Sequence, residues 1–218
     1  MISDKHKYIF VHIPKCGGSS VELNLLSREN IYINDFAKDG FSKLTSWQKE
    51  KYNLGLQDMG FASQHLKINQ YEPQKVKNYF TFSFVRNPWD RMVSEYFYIK
   101  KSRDTYCAKE FFLKTFPNFR SFVINNGLQC AWPSHRPEQI DFLLDPMTNQ
   151  MVDFIGRLEN FNRDFGYICQ RMGFKKFAPL KKRNPTCHKK YRHYYDIETK
   201  NIIGHKFRRD IEYFKYTF

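Results

Sequence analysis

Three times along this chain, a short apolar segment runs into a turn and is followed by a segment of helical periodicity. The apolar segments span residues 8–13, 80–85 and 152–158, and the predicted helices cover 19–26, begin at 88, and cover 161–172. Strands that alternate with helices form a mostly parallel sheet flanked by helices, which collects ligands at the carboxyl ends of its strands. The sequence therefore predicts an α/β fold.

Capping residues mark where several helices begin and end. Asn87 followed by Pro88 predicts an N-cap and first helical position, and Asn160 predicts a second N-cap. Gly173 is suited to follow a helix end. A last helix is predicted from about Asp196, with four apolar residues facing inward: Ile203, Phe207, Ile211 and Phe214. No Gly/Ser-rich or Pro-rich linker divides the chain, which predicts a single domain over residues 1–218.

The chain is strongly basic, with 36 Lys and Arg against 22 Asp and Glu and a net charge of +14. The charge is uneven, because residues 165–195 contain no acid and nine basic side chains. An anionic ligand is therefore expected near this stretch. Charge alone does not separate a solvated basic face, a nucleic-acid surface and a site for a polyanionic small molecule.

Cysteine usage and hydropathy set further limits. The five cysteines are widely spaced and form no CxxC pair, which argues against a disulfide framework and a zinc ribbon. Apolar runs are only a few residues long, whereas a membrane-spanning helix needs roughly 20. The first residues lack the features of a secretory signal. We therefore expect no structural metal, no transmembrane segment and a cytoplasmic protein.

The segment HIPKCGGSS, residues 12–20, carries the first chemical signal. A turn with Lys, two Gly and two Ser between a strand and a helix can direct backbone N–H groups and hydroxyls at an anion, and the helix dipole favours negative charge there. It is not a Walker A loop, because Lys15 precedes both glycines. The candidate anion-binding residues are Lys15, Cys16, Gly17, Gly18, Ser19 and Ser20.

The segment FSFVRNPWDRMVSEY carries the second signal. Arg86 stands where the predicted strand ends, and Ser94 lies eight residues later, two turns into the following helix. Both side chains could reach one anion over the start of that helix. Arg86 could equally pair with a carboxylate, and Ser94 could be an exposed hydroxyl.

With these two segments in this order and spacing, the chain resembles the sulfotransferases that use 3′-phosphoadenosine 5′-phosphosulfate, and in particular those acting on carbohydrates. Further likeness lies in HRPEQ, in VDFIGRLENFNRDF and in the C-terminal segment from YRHYYD onward. The resemblance implies a P-loop-like strand-loop-helix that binds the 5′-phosphosulfate. It implies that Arg86 and Ser94 bind the 3′-phosphate, and that a late basic loop containing Lys182 and Arg183 adds to that site.

The resemblance also implies the reaction, which is transfer of a sulfuryl group from the nucleotide to a hydroxyl. A glycan is the expected acceptor. Lys15 is then placed to stabilise the charge on the bridging oxygen, and no metal ion is expected. His65 lies between the two donor segments, where related enzymes carry a catalytic His, and it is the preferred general base. His135, in HRPEQ, is its competitor, whereas His12 is expected to pack.

Two other classes remain as alternatives. A basic nucleic-acid-binding protein would explain the charge, but it requires neither HIPK nor the Arg86 and Ser94 pair. A nucleotide or sugar kinase would need a metal-binding carboxylate and a Lys after the glycines, and the sequence shows neither convincingly. The leading interpretation therefore includes a nucleotide donor and a hydroxyl acceptor, without specific nucleic-acid binding.

Overall fold

The computed structural model of the chain describes residues 1–28, 65–101, 107–174 and 188–218. The strands in these ranges are β1 (Ile2–Ser3), β2 (Tyr8–Val11), β3 (Phe80–Val85) and β4 (Phe154–Arg157). The helices up to residue 124 are α1 (Gly18–Arg28), α2 (Pro73–Asn78), α3 (Pro88–Lys101), α4 (Lys109–Thr115) and α5 (Phe119–Ile124). Those that follow are α6 (Ile140–Leu143), α7 (Phe161–Arg171), α8 (Ile197–Lys206) and α9 (Arg208–Phe214).

The chain divides into two compact units. The first comprises residues 1–85 and 141–183, and the second comprises residues 86–140 and 184–218. The single domain predicted from the sequence stays a prediction. Within the described ranges, no helix combines the length and apolarity needed to cross a bilayer.

The first unit is built on a four-stranded sheet in the order β1-β2-β3-β4. β1 is antiparallel to β2, whereas β2, β3 and β4 run parallel, with Phe10 opposite Phe82 and Phe82 opposite Phe154. Because alternate residues share a face, Tyr8, Phe10, Phe82 and Phe84 form one aromatic surface. This surface packs with Leu25 of α1 and with other buried residues of α1 and α7, namely Val21, Leu26, Phe161, Phe165 and Ile168.

The second unit is a helical cluster around α3. The Tyr96 side chain of α3 is buried, and its ring contacts the rings of Phe112, Phe119 and Phe122 from α4 and α5. Ile203 and Phe207 from the C-terminal part belong to the same core. Aromatic residues bury a large area each, so a few short helices enclose a continuous core.

The predicted α/β class and mostly parallel sheet are confirmed. β3 has the predicted bounds, and β2 and β4 are shorter than predicted by two to three residues. The Asn87 side chain accepts a hydrogen bond from the N–H of Trp89 at 3.1 Å, so it caps α3 as expected. Gly173 has φ +77° after α7, the left-handed conformation that favours glycine.

Asn160 occupies the predicted N-cap position of α7, but its side chain makes no capping hydrogen bond. A 3₁₀ turn, Leu158–Asn160, runs directly into α7 and leaves Asn160 with ψ 28° instead of the extended backbone of an N-cap. The N–H of Arg157 donates instead to the Asp164 carboxylate at 2.8 Å.

The predicted single C-terminal helix is wrong, because it is interrupted at Phe207, which separates α8 from α9. Phe207 has φ −114° and ψ 36°, and its side chain is buried. The predicted inward positions Ile203 and Phe214 are buried as well. The side chain of Asp210, in the first turn of α9, is buried too.

The N-cap of α8 generates a prediction about pH. Asp196 accepts a hydrogen bond from the N–H of Thr199 at 2.8 Å and also pairs with Arg120. The Thr199 N–H, and after it the Thr199 hydroxyl and Arg120, hold the pKa of Asp196 below its ordinary value. This carboxylate therefore contributes stability above pH ~4, which is lost as the pH falls through the folded-state pKa.

Asp196→Ala should lower the melting temperature at neutral pH, and the difference from the parent should shrink as the solution is acidified. Thermal melts of both proteins between pH 7 and pH 3 measure this. Glu198→Ala is the control, because Glu198 also pairs with Arg120 but does not cap α8, so its effect should be smaller. A temperature difference that is constant with pH would contradict the assignment.

Candidate functional site

The loop between β2 and α1 has an unusual backbone. Lys15 has φ +66° and Gly17 has φ +83°, so two of three consecutive residues are left-handed. Gly17 adopts this conformation readily, whereas for Lys15 it costs about 1–2 kcal/mol. Non-glycine residues in such conformations are concentrated at functional sites, and this one is the lysine singled out by the sequence.

Glycine is required at both positions of the loop, at Gly17 by its left-handed backbone and at Gly18 by close packing. A Cβ at Gly17 would lie 2.8 Å from Cδ1 of Leu158, and a Cβ at Gly18 would lie 2.0 Å from Cδ2 of His12. Both distances are shorter than real carbon contacts. The two glycines thus do more than form a tight turn. Because they have no side chains, the loop backbone can lie directly against neighbouring side chains.

The imidazole of His12 is buried beneath this loop. Its Nδ1 lies 2.9 Å from Oε1 of Glu22 on α1, and the two side chains are 5 % and 1 % exposed. Packing was the role expected of His12, and the contact with Gly18 agrees with it, but sequence reasoning missed Glu22. The available signal was an acid on the helix face that carries Leu25 and Leu26.

His65 lies beside the same loop. Its Nδ1 is 3.0 Å from the backbone oxygen of His12, and its ring packs edge-on against the His12 ring with centroids 4.7 Å apart. A carbonyl oxygen only accepts, so Nδ1 of His65 carries the donated proton. In the neutral ring, Nε2 then holds the lone pair that could accept a proton.

In the second unit, Arg86 lies two residues before α3, and Ser94 lies within α3. The Nε of Arg86 donates to Oδ2 of Asp90 at 2.8 Å, and the Arg86 side chain is 12 % exposed. Asp90 and Ser94 are four residues apart and share a helix face. Arg86 thus has the carboxylate partner that the sequence analysis allowed for, and Asp90 restricts where the guanidinium can lie.

His135, the competing base, is held differently. Its Nδ1 lies 2.9 and 3.0 Å from the two carboxylate oxygens of Glu95, and both side chains are buried. The Arg91 guanidinium donates to the backbone oxygen of His135 at 3.0 Å. His135 therefore also has its Nδ1 committed to an acceptor.

The structure describes some of the remaining predicted site residues and not others. Cys16 and Ser20 are buried, and Ser19 is partly exposed at the start of α1. Lys182 and Arg183 lie outside the described residues. Among the residues that are described, no three His, Cys, Asp or Glu side chains are grouped to hold a metal ion.

The packing of Gly18 generates a prediction with an opposite control. Gly18→Ala should lower the melting temperature, because its Cβ requires His12 to leave its place beside Glu22. Gly204→Ala should leave it unchanged or raise it, since that Cβ would meet Trp89 at an ordinary 3.4 Å and Ala is the better helix former. Thermal melts of both variants decide, and equal effects would contradict the proposed packing.

Comparison with known proteins supports the family that the sequence resembles. A model described as the sulfotransferase family matches residues 1–217. An uncharacterised protein of Archaeoglobus fulgidus is 34% identical over 99 residues, covering 44% of this chain and 68% of that protein. Human carbohydrate sulfotransferase 9 is 22% identical over 237 residues, covering 96% of this chain and 47% of that protein. The chain thus spans less than half of the human relative's length. Because the family model matches residues 1–217, the chain belongs to the sulfotransferase family.

Proposed function

We propose that this protein transfers a sulfuryl group from 3′-phosphoadenosine 5′-phosphosulfate to a hydroxyl of a carbohydrate. The observation that carries the proposal is the loop after β2. There a lysine in a left-handed conformation precedes two glycines, one required by its backbone angle and one by packing. A histidine whose Nδ1 is already committed lies alongside. A cation, loop N–H groups and a proton acceptor are the parts that sulfuryl transfer needs.

The 5′-phosphosulfate is assigned to the loop and the start of α1. The proposed ligands are the Lys15 ammonium, the N–H groups of Gly17 and Gly18 and the hydroxyls of Ser19 and Ser20. Cys16 is proposed to shape the loop, because its own N–H donates to the Ile13 backbone oxygen at 3.4 Å. The N-terminus of α1 adds a partial positive charge. The sequence from 12 to 20 thus supplies both the charge and the donors that a doubly anionic group requires.

The 3′-phosphate is assigned to Arg86 and Ser94. Arg86 directly follows β3 in the chain, and its guanidinium offers several N–H donors in one plane, of which Nε is given to Asp90. Lys182 and Arg183 are proposed to add charge to this contact. The excess of basic residues between 165 and 195 supports this assignment, because the donor is a polyanion.

The chemistry follows from these roles. The acceptor oxygen attacks sulfur in line, an O–S bond forms, and the bond between sulfur and the bridging oxygen of the nucleotide breaks. Nε2 of His65 takes the hydroxyl proton, and Lys15 stabilises the negative charge that develops on the bridging oxygen. Lys15 is therefore proposed as both a binding and a catalytic residue, and no metal ion takes part in the proposal.

The acceptor is the least constrained part of the proposal. Its support is the likeness to a human protein named a carbohydrate sulfotransferase, together with the likeness of HRPEQ and the C-terminal segment to carbohydrate-acting relatives. A sugar hydroxyl has an ordinary alcohol pKa far above neutrality, so its attack requires the base assigned above.

The donor site is tested by nucleotide discrimination. 3′-Phosphoadenosine 5′-phosphate should bind more tightly than adenosine 5′-phosphate, because Arg86 reads the extra phosphate. Arg86→Ala should reduce this preference by roughly ten- to a hundred-fold, the scale of a charge-assisted hydrogen bond. Calorimetric titration of both nucleotides measures the preference, and Arg120→Ala, which removes an exposed arginine from the same unit, should leave it intact.

Adding DNA as a third ligand to the same titration tests the nucleic-acid-binding alternative. A parent protein that binds both nucleotides equally would refute the 3′-phosphate assignment. Tighter binding of DNA than of either nucleotide, with a steep loss in salt, would favour the nucleic-acid-binding class.

The general base is tested by transfer itself. His65→Ala should keep nucleotide affinity but lower transfer of labelled sulfate to a mixed glycan pool by about 10²–10⁴-fold. His135→Ala should lower it less. A near-parent rate for His65→Ala, or a far larger loss for His135→Ala, would move the base to His135.

A further inference from the structure

The backbone of Arg86 is gripped by a side chain from a distant part of the same unit. Oε1 of Gln139 accepts from the N–H of Arg86 at 2.8 Å, and Nε2 of Gln139 donates to the Arg86 backbone oxygen at 2.9 Å. A primary amide has one acceptor and one donor group side by side, as a peptide does. Gln139 thus pairs with Arg86 as a residue of a neighbouring strand would.

Gln139 is itself fixed by Asp210. The backbone N–H and the Nε2 of Gln139 both donate to Oδ2 of Asp210, at 2.9 and 3.1 Å. The N–H of Ile140 donates to Oδ1 of Asp210 at 2.9 Å. Gln139 and Asp210 are both 0 % exposed, so these bonds form away from water, where an unmade bond is costly.

This arrangement determines which way the Gln139 amide faces. A carboxylate only accepts hydrogen bonds, so Asp210 requires the NH₂ end of the amide. The amide oxygen is then directed at the N–H of Arg86. The reverse orientation would place the Gln139 oxygen against the Asp210 carboxylate and the Arg86 carbonyl, which are both acceptors.

Arg86 is therefore held at two points. Gln139 fixes its backbone, and Asp90 fixes its Nε. Anion recognition by a planar guanidinium depends on its position, because its N–H donors form a rigid fork that must match the geometry of the phosphate oxygens. Hydrogen bonds to the backbone of Arg86 therefore affect phosphate recognition, whereas a contact that only stabilises the fold does not.

We propose that Gln139, oriented by Asp210, is a positioning residue that sets the Arg86 guanidinium for the 3′-phosphate of the nucleotide donor. The inference rests on the proposed function, because that is where Arg86 receives its phosphate. Gln139 touches no substrate in this scheme and acts through Arg86. Asp210 acts one step further away, through the amide of Gln139.

The test is the preference for 3′-phosphoadenosine 5′-phosphate over adenosine 5′-phosphate in Gln139→Glu. This change preserves shape, but it places an acceptor against the Arg86 carbonyl and against Asp210. The preference should fall about ten-fold or more, as for loss of a charge-assisted contact. The affinity for adenosine 5′-phosphate should stay close to that of the parent. Asp210→Asn, a milder change, should reduce the preference in the same direction.

Thr199→Val is the matched control. Thr199 is also buried in this unit, and its N–H and hydroxyl donate to the Asp196 side chain at the start of α8. It should lower the melting temperature and leave the nucleotide preference intact. If Gln139→Glu and Asp210→Asn behave in the same way as Thr199→Val, their role is only structural and the inference is wrong.

Two further outcomes keep the inference separate from the function on which it rests. If the parent and Arg86→Ala show no preference between the nucleotides, the proposed donor site is wrong and the inference falls with it. If Gln139→Glu does not fold, hydrogen exchange at the Arg86 amide decides between the parent and Asp210→Asn. The amide should be protected in the parent and exchange faster in Asp210→Asn, and equal protection would overturn the role of Asp210.

Discussion

The contact between the His12 imidazole and Gly18 is the one on which the candidate donor loop depends. His12 follows β2 by one residue, its ring occupies the place of a Cβ at residue 18, and its Nδ1 is paired with Glu22 on α1. Its backbone oxygen also receives the hydrogen bond from His65. One residue thus links the strand, the loop, the helix and the proposed base, so the loop has little freedom to adopt another path.

The sequence predicts well what depends on local pattern. The alternation of residues 80–85 and the Asn87-Pro88 pair correctly predict β3, the start of α3 and its cap, because each signal lies within one element. The mostly parallel sheet follows from the order of elements. Asn160 lies at the predicted N-cap position, but its side chain does not cap the helix, because the preceding turn sets its backbone.

The side-chain partners of the site were less predictable, because they join positions far apart in the chain. Gln139 is 53 residues from Arg86 and 71 from Asp210. No periodicity relates such positions, and a buried Gln or Asp has the same letter as an exposed one. Glu22 was easier to predict, because an acidic residue beside Leu25 and Leu26 on one helix face requires a buried partner.

The two candidate bases, His65 and His135, are oriented in the same way by different hydrogen-bond acceptors. His65 directs Nδ1 at a backbone oxygen, and His135 directs it at the Glu95 carboxylate, so each ring is oriented and each keeps Nε2 as the acceptor of its neutral form. They belong to different units of the chain. What distinguishes them is the partner of Nδ1, a backbone oxygen for His65 and a carboxylate for His135.

Because Lys15 has a left-handed backbone, its proposed catalytic role and thermostability place opposite demands on this position. Glycine or asparagine would adopt the same φ with less strain, so selection for heat resistance alone would favour losing the lysine. Selection for turnover would retain it if its charge is needed there. Laboratory evolution of this chain under heat, without an activity screen, should therefore enrich glycine or asparagine at residue 15 among its survivors.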